Sequence, residues 1–166
     1  DITTLCLVPR VVDSVSIPVI AGGGVSDGRG LITMLALGAE GVILGTRFLL
    51  SEECPLHLNI KNPLLSSTEL DTMLVMRSVG NTHRVWKNSA AEITAEMENQ
   101  GASMEELFKI VGGDKTRKMY FQGDPKAGLI SCGQGIGLVS HIKPVRHIIT
   151  DILQDALDTK KRLNAM

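Results

Sequence analysis

One short apolar run decides the fold: Ile17-Pro18-Val19-Ile20-Ala21-Gly22-Gly23-Gly24. Its lack of polar alternation predicts a strand buried on both faces, as in a parallel sheet. A helix of about 12 residues, capped by Ser26 or Asp27, is predicted to follow this strand. A second apolar strand is predicted in Gly41-Val42-Ile43-Leu44, followed directly by Gly45-Thr46. Helices that alternate with short buried strands predict a parallel α/β sheet or barrel.

Two more helices are predicted, one that begins this alternation and one near the C-terminal end of the sequence. Val8, Val12 and Val15 recur at helical spacing near the start of the chain, and Pro9 suits the first turn of that helix. Further along, Pro144 is expected to begin a long amphipathic helix. Its predicted buried stripe consists of Val145, Ile148, Ile149, Ile152, Leu153, Ala156 and Leu157.

Residues 51–123 are predicted to form a small helical insertion without a buried strand. Helices are expected from Ser89 to Gln100, after a capping box at Ser103, and from Asp114 to Gln122. The chain is therefore expected to combine an α/β part with a helical part.

The densest positive cluster in the sequence lies in this insertion and consists of Arg77, His83, Arg84 and Lys87. Such a cluster can face an acidic ligand, but a solvated helical face is the more common reason for it. Trp86, the only tryptophan, is predicted to pack in the protein rather than to stack on a ligand.

The composition is that of an ordinary globular domain. The chain has 166 residues, of which 43% are hydrophobic, and its formal net charge is −1. Because nucleic acids and anionic membranes favour a basic excess, neither is expected as a partner. No apolar run is long enough for a membrane-spanning helix. The scattered cysteines Cys6, Cys54 and Cys132 favour a reducing compartment, which predicts a cytoplasmic location.

The sequence contains no recognisable catalytic or metal-binding motif. Its histidines form no i, i+4 pair and no HExxH pattern, so no metal site is predicted, and capping or surface roles are favoured. The histidines are His57, His83, His141 and His147. Gly133, Gly135 and Gly137 fall one residue short of a dinucleotide-binding fingerprint. They indicate either a close approach of the backbone to a ligand or neighbouring helix, or a flexible turn.

The strongest candidate site is the pair of glycine-rich strand ends, Gly22-Gly23-Gly24 and Gly45-Thr46. The ends of neighbouring parallel strands lie side by side, and glycines there leave backbone N–H groups open to an anion. The helix after Asp27 is expected to add the positive end of its dipole, and Thr46 a hydroxyl donor. This arrangement suits a phosphate monoester. Alternatively, the glycines only permit tight turns.

Several of these segments resemble one enzyme family. Residues 17–30, Leu35-Ala36-Leu37-Gly38-Ala39 and Gly45-Thr46-Arg47-Phe48 look like segments of the nitronate monooxygenase (2-nitropropane dioxygenase) family. That family is close to the flavin-dependent enoyl-ACP reductases. The resemblance continues at Arg84-Val85-Trp86-Lys87-Asn88 and from Gly123 to Leu138, so it covers nearly the whole chain.

The resemblance implies an α/β fold, the C-terminal part of a (β/α)8 TIM barrel with a helical insertion domain after the last strand. Residues 1–50 would form the last strands and helices of the barrel. Residues 51–123 would form the helical lid, and residues 124–166 the return segment and the C-terminal barrel helix.

The resemblance also implies FMN as the cofactor. Its phosphate would be bound after the two predicted strands, and a glutamine further along would lie near the flavin. The implied cofactor-binding residues are Gly23, Gly24, Leu44, Gly45, Thr46 and Gln134. Gly22 stands where the family usually has alanine, a mild change that is expected to leave the backbone undisturbed.

No catalytic residue is carried over, because the family's catalytic histidine is expected upstream of Asp1. The chain is therefore interpreted as the carboxyl-terminal half of a flavoenzyme. Its implied partners are a small-molecule substrate and the missing N-terminal half of the same barrel.

The implied function is that of an FMN-dependent oxidoreductase that oxidatively denitrifies nitronates or nitroalkanes. One alternative is an FMN-dependent enoyl-ACP reductase, whose substrate would be an enoyl thioester. Another is a phosphate-binding barrel without flavin, such as an IMP-dehydrogenase-like enzyme. A further alternative is that this piece alone is inert.

Overall fold

The computed structural model describes residues 2–166, which form two compact units. The first unit comprises the described residues up to Glu53 together with Ile142–Met166, and the second unit is Cys54–His141. The expected position of a catalytic histidine, upstream of Asp1, lies outside the described residues. Among residues 2–166, no helix is both long and apolar enough to cross a membrane.

The elements alternate between helix and strand at first and are mostly helical afterwards. In chain order they are α1 (Thr4–Val12), β1 (Ile20–Gly22), α2 (Gly28–Ala36), β2 (Gly41–Ile43), α3 (Thr46–Leu49), α4 (Leu58–Leu65), β3 (Thr72–Val75), β4 (His83–Trp86), α5 (Ser89–Asn99), α6 (Met104–Val111), α7 (Gly113–Gln122), a short 3-10 helix (Gln134–Leu138) and α8 (Val145–Asn164). The predicted α/β alternation in the first part of the chain is confirmed.

Strands β1 and β2 form a parallel pair connected through α2, as the alternation predicts. Ile20 lies opposite Gly41, and Gly22 lies opposite Ile43. The expectation that the first strand is buried on both faces is wrong for the described residues. Ala21 is buried, but the side chain of Ile20 is 58% exposed, because the described chain covers only one face of β1.

Helix α1 differs from its prediction in where it starts. It begins at Thr4, so Pro9 lies in the middle of the helix and not in its first turn. Val8 is buried in the core of the first unit with Ala21, whereas Val15 lies beyond the helix and is exposed. The spacing of the valines therefore found the helix but misplaced its first turn.

Helix α8 packs against α2, and only part of its predicted apolar stripe is buried. Ile148, Ile152 and Ala156 are buried. Three members of the predicted stripe are exposed in the first unit, namely Ile149, Leu153 and Leu157. The predicted apolar stripe is wider than the surface that α2 covers, because neighbouring apolar residues point to different sides of α8.

The second unit contains an antiparallel hairpin, β3–β4, so the prediction of an insertion without a buried strand is wrong. Val75 and Val85 are fully buried in its core. Arg84 lies on β4 opposite Leu74, and its guanidinium donates to the hydroxyl of Thr72 at 3.0 Å. The positive cluster therefore surrounds a strand and does not form a helical face.

Trp86 packs as predicted. Its side chain is buried at the end of β4, and its indole Nε1 donates a hydrogen bond to the Ser67 hydroxyl at 3.1 Å. The three helices expected after it are present as α5, α6 and α7. The capping box between Ser103 and Glu106 is formed at the start of α6, and Gly123 is the C-cap of α7.

Residues 124–141, which we grouped with the return segment, lie in the second unit. The Asn88 side chain holds this segment, because its amide donates to the carbonyls of Pro125 and Gly128 at 2.8 and 2.9 Å. Ser131 also pairs with Val85 in an antiparallel bridge beside the hairpin. Sequence spacing gave no sign of these long-range contacts.

The Glu98 carboxylate organises the turn of the hairpin. It accepts hydrogen bonds from the Met76 N–H at 2.7 Å and from the N–H and hydroxyl of Ser78, each at 2.9 Å. Met76 has a φ of 61°, a left-handed conformation that costs a bulky residue energy. The Glu98 carboxylate stabilises this conformation, because it accepts hydrogen bonds from N–H groups that the turn leaves exposed.

Acidification is therefore expected to destabilise the hairpin turn through Glu98. Burial alone would raise the pKa of this carboxyl, but the bonds from Ser78 and Met76 outweigh it and hold the pKa below its usual 4.5. A lowered folded-state pKa stabilises the fold above pH 4.5, and this contribution disappears as the pH falls through the lowered value. Urea unfolding should be measured between about pH 5 and pH 3, a range around the ordinary pKa of a glutamate. Over this range, the free energy of unfolding of Glu98→Gln should decrease less than that of the unchanged protein. An equal loss in both would contradict this role.

Candidate functional site

The ends of β1 and β2 bring five predicted site residues to one edge of the parallel pair. Gly23 and Gly24 follow β1 directly, and Leu44 and Gly45 follow β2. Thr46 is the first residue of α3, whose N-cap is Gly45. Because Gly22 pairs with Ile43, the two glycine-containing turns leave the sheet side by side.

The two turns form an open cradle of backbone atoms. Gly24 has a φ of 78°, and no atom lies within 4 Å of the position that a Cβ would take. The same open space surrounds the Cβ position of Gly45. Among residues 2–166, neither the Gly24 nor the Gly45 N–H has an acceptor. Exposed, unpaired N–H groups around an open space suit an anionic ligand.

Thr4 contributes to the cradle although the sequence analysis missed it. Its hydroxyl donates to the Gly23 carbonyl at 3.4 Å, so the first turn of α1 restrains the loop after β1. Thr4 and Gly23 are separated by 19 positions and lie on different elements. No periodicity or motif in the sequence indicates this contact.

The start of α2 does not offer its dipole to an anion, so that part of the phosphate-site prediction is wrong. The Asp27 side chain accepts from the Gly30 N–H at 3.0 Å, and Asp155 on α8 accepts from the Gly28 N–H at 2.9 Å. Two carboxylates therefore already occupy the positive end of the helix. Burial alone would raise the pKa of Asp27, but the bonds from Arg29 and Gly30 lower it, so its charge is retained at neutral pH.

Arg47 is the cationic residue nearest in sequence to the cradle, but it is buried. Its guanidinium lies 3.5 Å from the Leu50 carbonyl. Burial lowers the pKa of Arg47, and the nearby charge of Asp151 partly opposes this effect. We interpret Arg47 as a residue that fixes α3, so the cradle itself relies on backbone groups.

Gln134 lies in the second unit. The other five predicted residues lie in the first unit and are distant from it in sequence. It is exposed and begins the 3-10 helix. Three residues on, a Cβ at Gly137 would lie 2.7 Å from the backbone nitrogen of Glu69. Of the two interpretations of this glycine segment, the structure favours a close backbone approach at Gly137.

The histidines show the capping and surface roles that the sequence favours. His57 caps α4, since its Nδ1 accepts a hydrogen bond from the Asn59 N–H at 3.1 Å. His83, His141 and His147 are partly or fully exposed. Within residues 2–166, no group of three or more His, Cys, Asp or Glu side chains is arranged to hold a metal ion.

Comparison with known proteins decides the family. The model of the nitronate monooxygenase family matches residues 1–155. This chain belongs to the nitronate monooxygenase family. The resemblance inferred from residues 17–48 is thereby confirmed.

The most similar relatives include two named bacterial enzymes. A (3aS,4S,5R,7aS)-5-hydroxy-7a-methyl-1-oxo-octahydro-1H-indene-4-carboxyl-CoA dehydrogenase of Rhodococcus jostii is 29% identical, over 99% of this chain and 56% of its own length. A probable nitronate monooxygenase of Staphylococcus haemolyticus is 42% identical over 58% of this chain and 27% of its own length.

Two solved structures are similar to this chain over nearly its whole length. FabK from Thermotoga maritima superposes with a TM-score of 0.92 at 37% identity, over 99% of this chain and 52% of its own. The nitroalkane oxidase of Streptomyces ansochromogenes, at 23% identity and a TM-score of 0.80, shows likeness of fold alone, over 98% of this chain and 46% of its own. The chain thus spans about half the length of each of these two proteins.

Proposed function

We propose that this chain carries the phosphate-binding part of an FMN-dependent oxidoreductase of nitronate monooxygenase type, which oxidatively denitrifies nitronates or nitroalkanes. The observation that carries the proposal is the open glycine cradle at the ends of β1 and β2. Membership of the nitronate monooxygenase family supports it. In this proposal, β1 and β2 are the last two strands of a (β/α)8 barrel, whose phosphate sites commonly lie after those strands.

The residues of the cradle fit a phosphate group. A phosphate oxygen can accept from the N–H groups of Gly24 and Gly45, while Gly23, Leu44 and Thr46 would complete the ring of backbone and hydroxyl groups. The absence of side chains at the glycines lets the ligand approach the backbone closely. Gln134 is proposed as a flavin contact on the family resemblance alone. When bound, FMN supplies the electron-transfer chemistry.

The chain's own contribution is binding and orientation. The cradle fixes the phosphate with neutral dipoles, and Thr4 restrains the loop that carries Gly23. Asp27 and Asp155 hold the start of α2, which sets where that loop ends. None of these groups is placed to move a proton from a substrate, so the catalytic base is proposed to lie in the preceding part of the barrel.

Exposed apolar side chains on the first unit support a barrel partner. Ile17, Ile20 and Ile43 around the two strands are 70%, 58% and 67% exposed. Apolar side chains of this size favour burial, and contiguous exposed ones mark an interaction surface. We propose that the N-terminal half of the same barrel covers them. A cytoplasmic location stays a prediction.

The likeness to FabK favours a second candidate, an FMN-dependent enoyl-ACP reductase. Both candidates need the same phosphate cradle, and they differ in substrate. A nitronate would be oxidised with consumption of oxygen, whereas an enoyl thioester would be reduced at the expense of a nicotinamide.

The two candidates are separated by activity measurements on the purified, flavin-loaded full-length protein, in which the proposed N-terminal half of the barrel is present. A nitronate monooxygenase should consume oxygen when a nitronate such as propyl-2-nitronate is added. An enoyl reductase should instead oxidise NADH or NADPH in the presence of crotonyl thioester. A colourless protein that takes up no FMN would contradict both candidates.

A further inference from the structure

One cavity of the second unit is lined by four separate segments of the chain. They are the β3–β4 hairpin, α6, α7 and the segment that follows α7. The volume of this cavity is about 270 Å³. An apolar protein cavity of roughly 150 Å³ can bind benzene, so this cavity has room for an aromatic ring with a short substituent.

The segments around the cavity are held together by backbone contacts. The Trp86 N–H donates to the Ile130 carbonyl at 3.0 Å, which holds the segment after α7 beside β4. A Cβ at Gly128 would lie 2.7 Å from the Thr116 nitrogen, so the same segment also packs directly on α7. Because its walls are fixed in this way, the cavity is already formed without a ligand, as most small-molecule sites are.

The floor of the cavity is apolar and buried. Met76 and Ile130 are each 1% exposed, and Leu129 is 6% exposed. Among the described residues that line the cavity, none is Asp, Glu, Lys or Arg. A charged ligand would therefore lose its hydration without gaining a counter-ion, which costs free energy. These walls favour an uncharged ligand with an apolar body.

Three side chains that line the cavity carry hydroxyl groups, namely Thr116, Tyr120 and Ser131. Within residues 2–166, none of these hydroxyls forms a hydrogen bond. The hydroxyls of Thr116 and Tyr120 remain reachable by solvent. Burial raises the pKa of Tyr120, and the neighbouring Cys54 raises it further, so the phenol group stays protonated and can donate. The cavity therefore offers hydrogen-bond donors that no described residue uses.

His83 adds a hydrogen-bond acceptor to the same cavity. Its Nδ1 lies 3.1 Å from the Asn81 carbonyl oxygen. Because a carbonyl oxygen only accepts, Nδ1 carries the proton and donates, which leaves Nε2 of the neutral ring as an acceptor. Among residues 2–166, no group donates to this Nε2. A ligand that both donates and accepts would pair with His83 and with a hydroxyl.

We propose that this cavity binds a small uncharged phenol. The ring would lie against Met76 and Ile130, where a thioether contact also favours an aromatic ligand. The phenolic O–H would donate to Nε2 of His83, and the phenolic oxygen would accept from the Tyr120 hydroxyl. A ketone or an ether of the same size lacks the proton that Nε2 accepts. This site goes beyond the proposed function, since it lies within the second unit and uses no residue of the cradle.

The proposal is tested by calorimetric titration of the purified full-length protein with 4-ethylphenol, with and without FMN. The unchanged protein should bind 4-ethylphenol saturably and with the same affinity in both states. Tyr120→Phe removes only the hydroxyl, and His83→Phe keeps a planar ring without the acceptor. Each variant should bind 4-ethylphenol about two- to tenfold more weakly, the loss expected for one hydrogen bond.

The control variant His147→Phe makes the same change on α8 of the first unit, where the imidazole is exposed, and should leave the affinity unchanged. A comparison that needs no substitution uses 4-ethylanisole, in which a methyl ether replaces the hydroxyl. It should bind the unchanged protein about two- to tenfold more weakly than 4-ethylphenol, because it cannot donate to Nε2.

Two results would overturn the proposal. One is the absence of saturable 4-ethylphenol binding. The other is an affinity that Tyr120→Phe and His83→Phe both retain, together with a shift in the visible absorption of the flavin, since this would place the phenol at the cofactor. In the proposed site, the flavin spectrum should stay unchanged as 4-ethylphenol is added.

Discussion

Protein carrying Gly24→Val is expected to lose its preference for FMN over riboflavin. Gly24 has a φ of 78°, and its Cβ position faces open space in the cradle. A valine there would both fill that space and force the loop out of its left-handed conformation. Loss of one or two hydrogen bonds to a charged group corresponds to a decrease in FMN affinity of about a hundredfold. Riboflavin, which lacks the phosphate, should bind equally to both proteins by flavin-fluorescence titration.

The matched control for this substitution is Gly101→Val. Gly101 has a φ of 81° and equally open surroundings, but it lies between α5 and α6 in the second unit. Both variants should lose about 1–2 kcal/mol of stability, the cost of a side chain in left-handed backbone. Only Gly24→Val should lose FMN affinity. If it retains the wild-type preference for FMN, the assignment of the phosphate site is wrong.

Among substitutions that add one methyl group to the first unit, Gly28→Ala is expected to be the most destabilising. A Cβ at this position would lie 2.5 Å from the Ile152 carbonyl oxygen and 2.6 Å from the Asp155 carbonyl carbon, and closer still to the Ala156 nitrogen. These are backbone atoms, which cannot move aside as a flexible side chain would. Helices α2 and α8 would have to separate, at a cost of about 3 kcal/mol or more in the free energy of unfolding.

Urea unfolding measures this cost, with Gly113→Ala as the control. Gly113 opens α7, and nothing lies within 4 Å of its Cβ position. Alanine there should be neutral or stabilising by about 0.5 kcal/mol, because it restricts the unfolded chain. Equal unfolding midpoints for both variants would show that α2 and α8 do not approach at Gly28.

The parallel βαβ segment could be predicted because its signals are local. Each strand is an apolar run that ends in glycine, and the Asp27 cap lies within three residues of the N–H that it binds. The β3–β4 hairpin could not be predicted in the same way. Its strands have only four residues each, and β4 places His83 and Arg84 beside its apolar residues. Their burial depends on partners distant in sequence, such as Leu107 and Leu129.

The candidate phosphate site likewise combines local features that the sequence predicted with long-range contacts that it did not predict. The sequence spacing alone predicted that Gly23, Gly24 and Gly45 lie at the same edge of the sheet. The dipole of α2 was wrongly added to the site, because the carboxylate that occupies its end comes from Asp155, 127 positions away from Gly28. The role of Thr4 was also missed, because a contact between two different elements produces no periodic pattern in the sequence.

The hydrogen bond from Gly28 to Asp155 also sets an order of events during synthesis. It joins the two segments of the first unit, whereas Cys54–His141 is a continuous segment. Domains fold as their residues leave the ribosome, so the second unit has its complete sequence before α8 emerges. The β1–α2–β2 segment emerges before the second unit but must wait for α8 to close its core. Of these two units, the one that carries the cradle is therefore completed second.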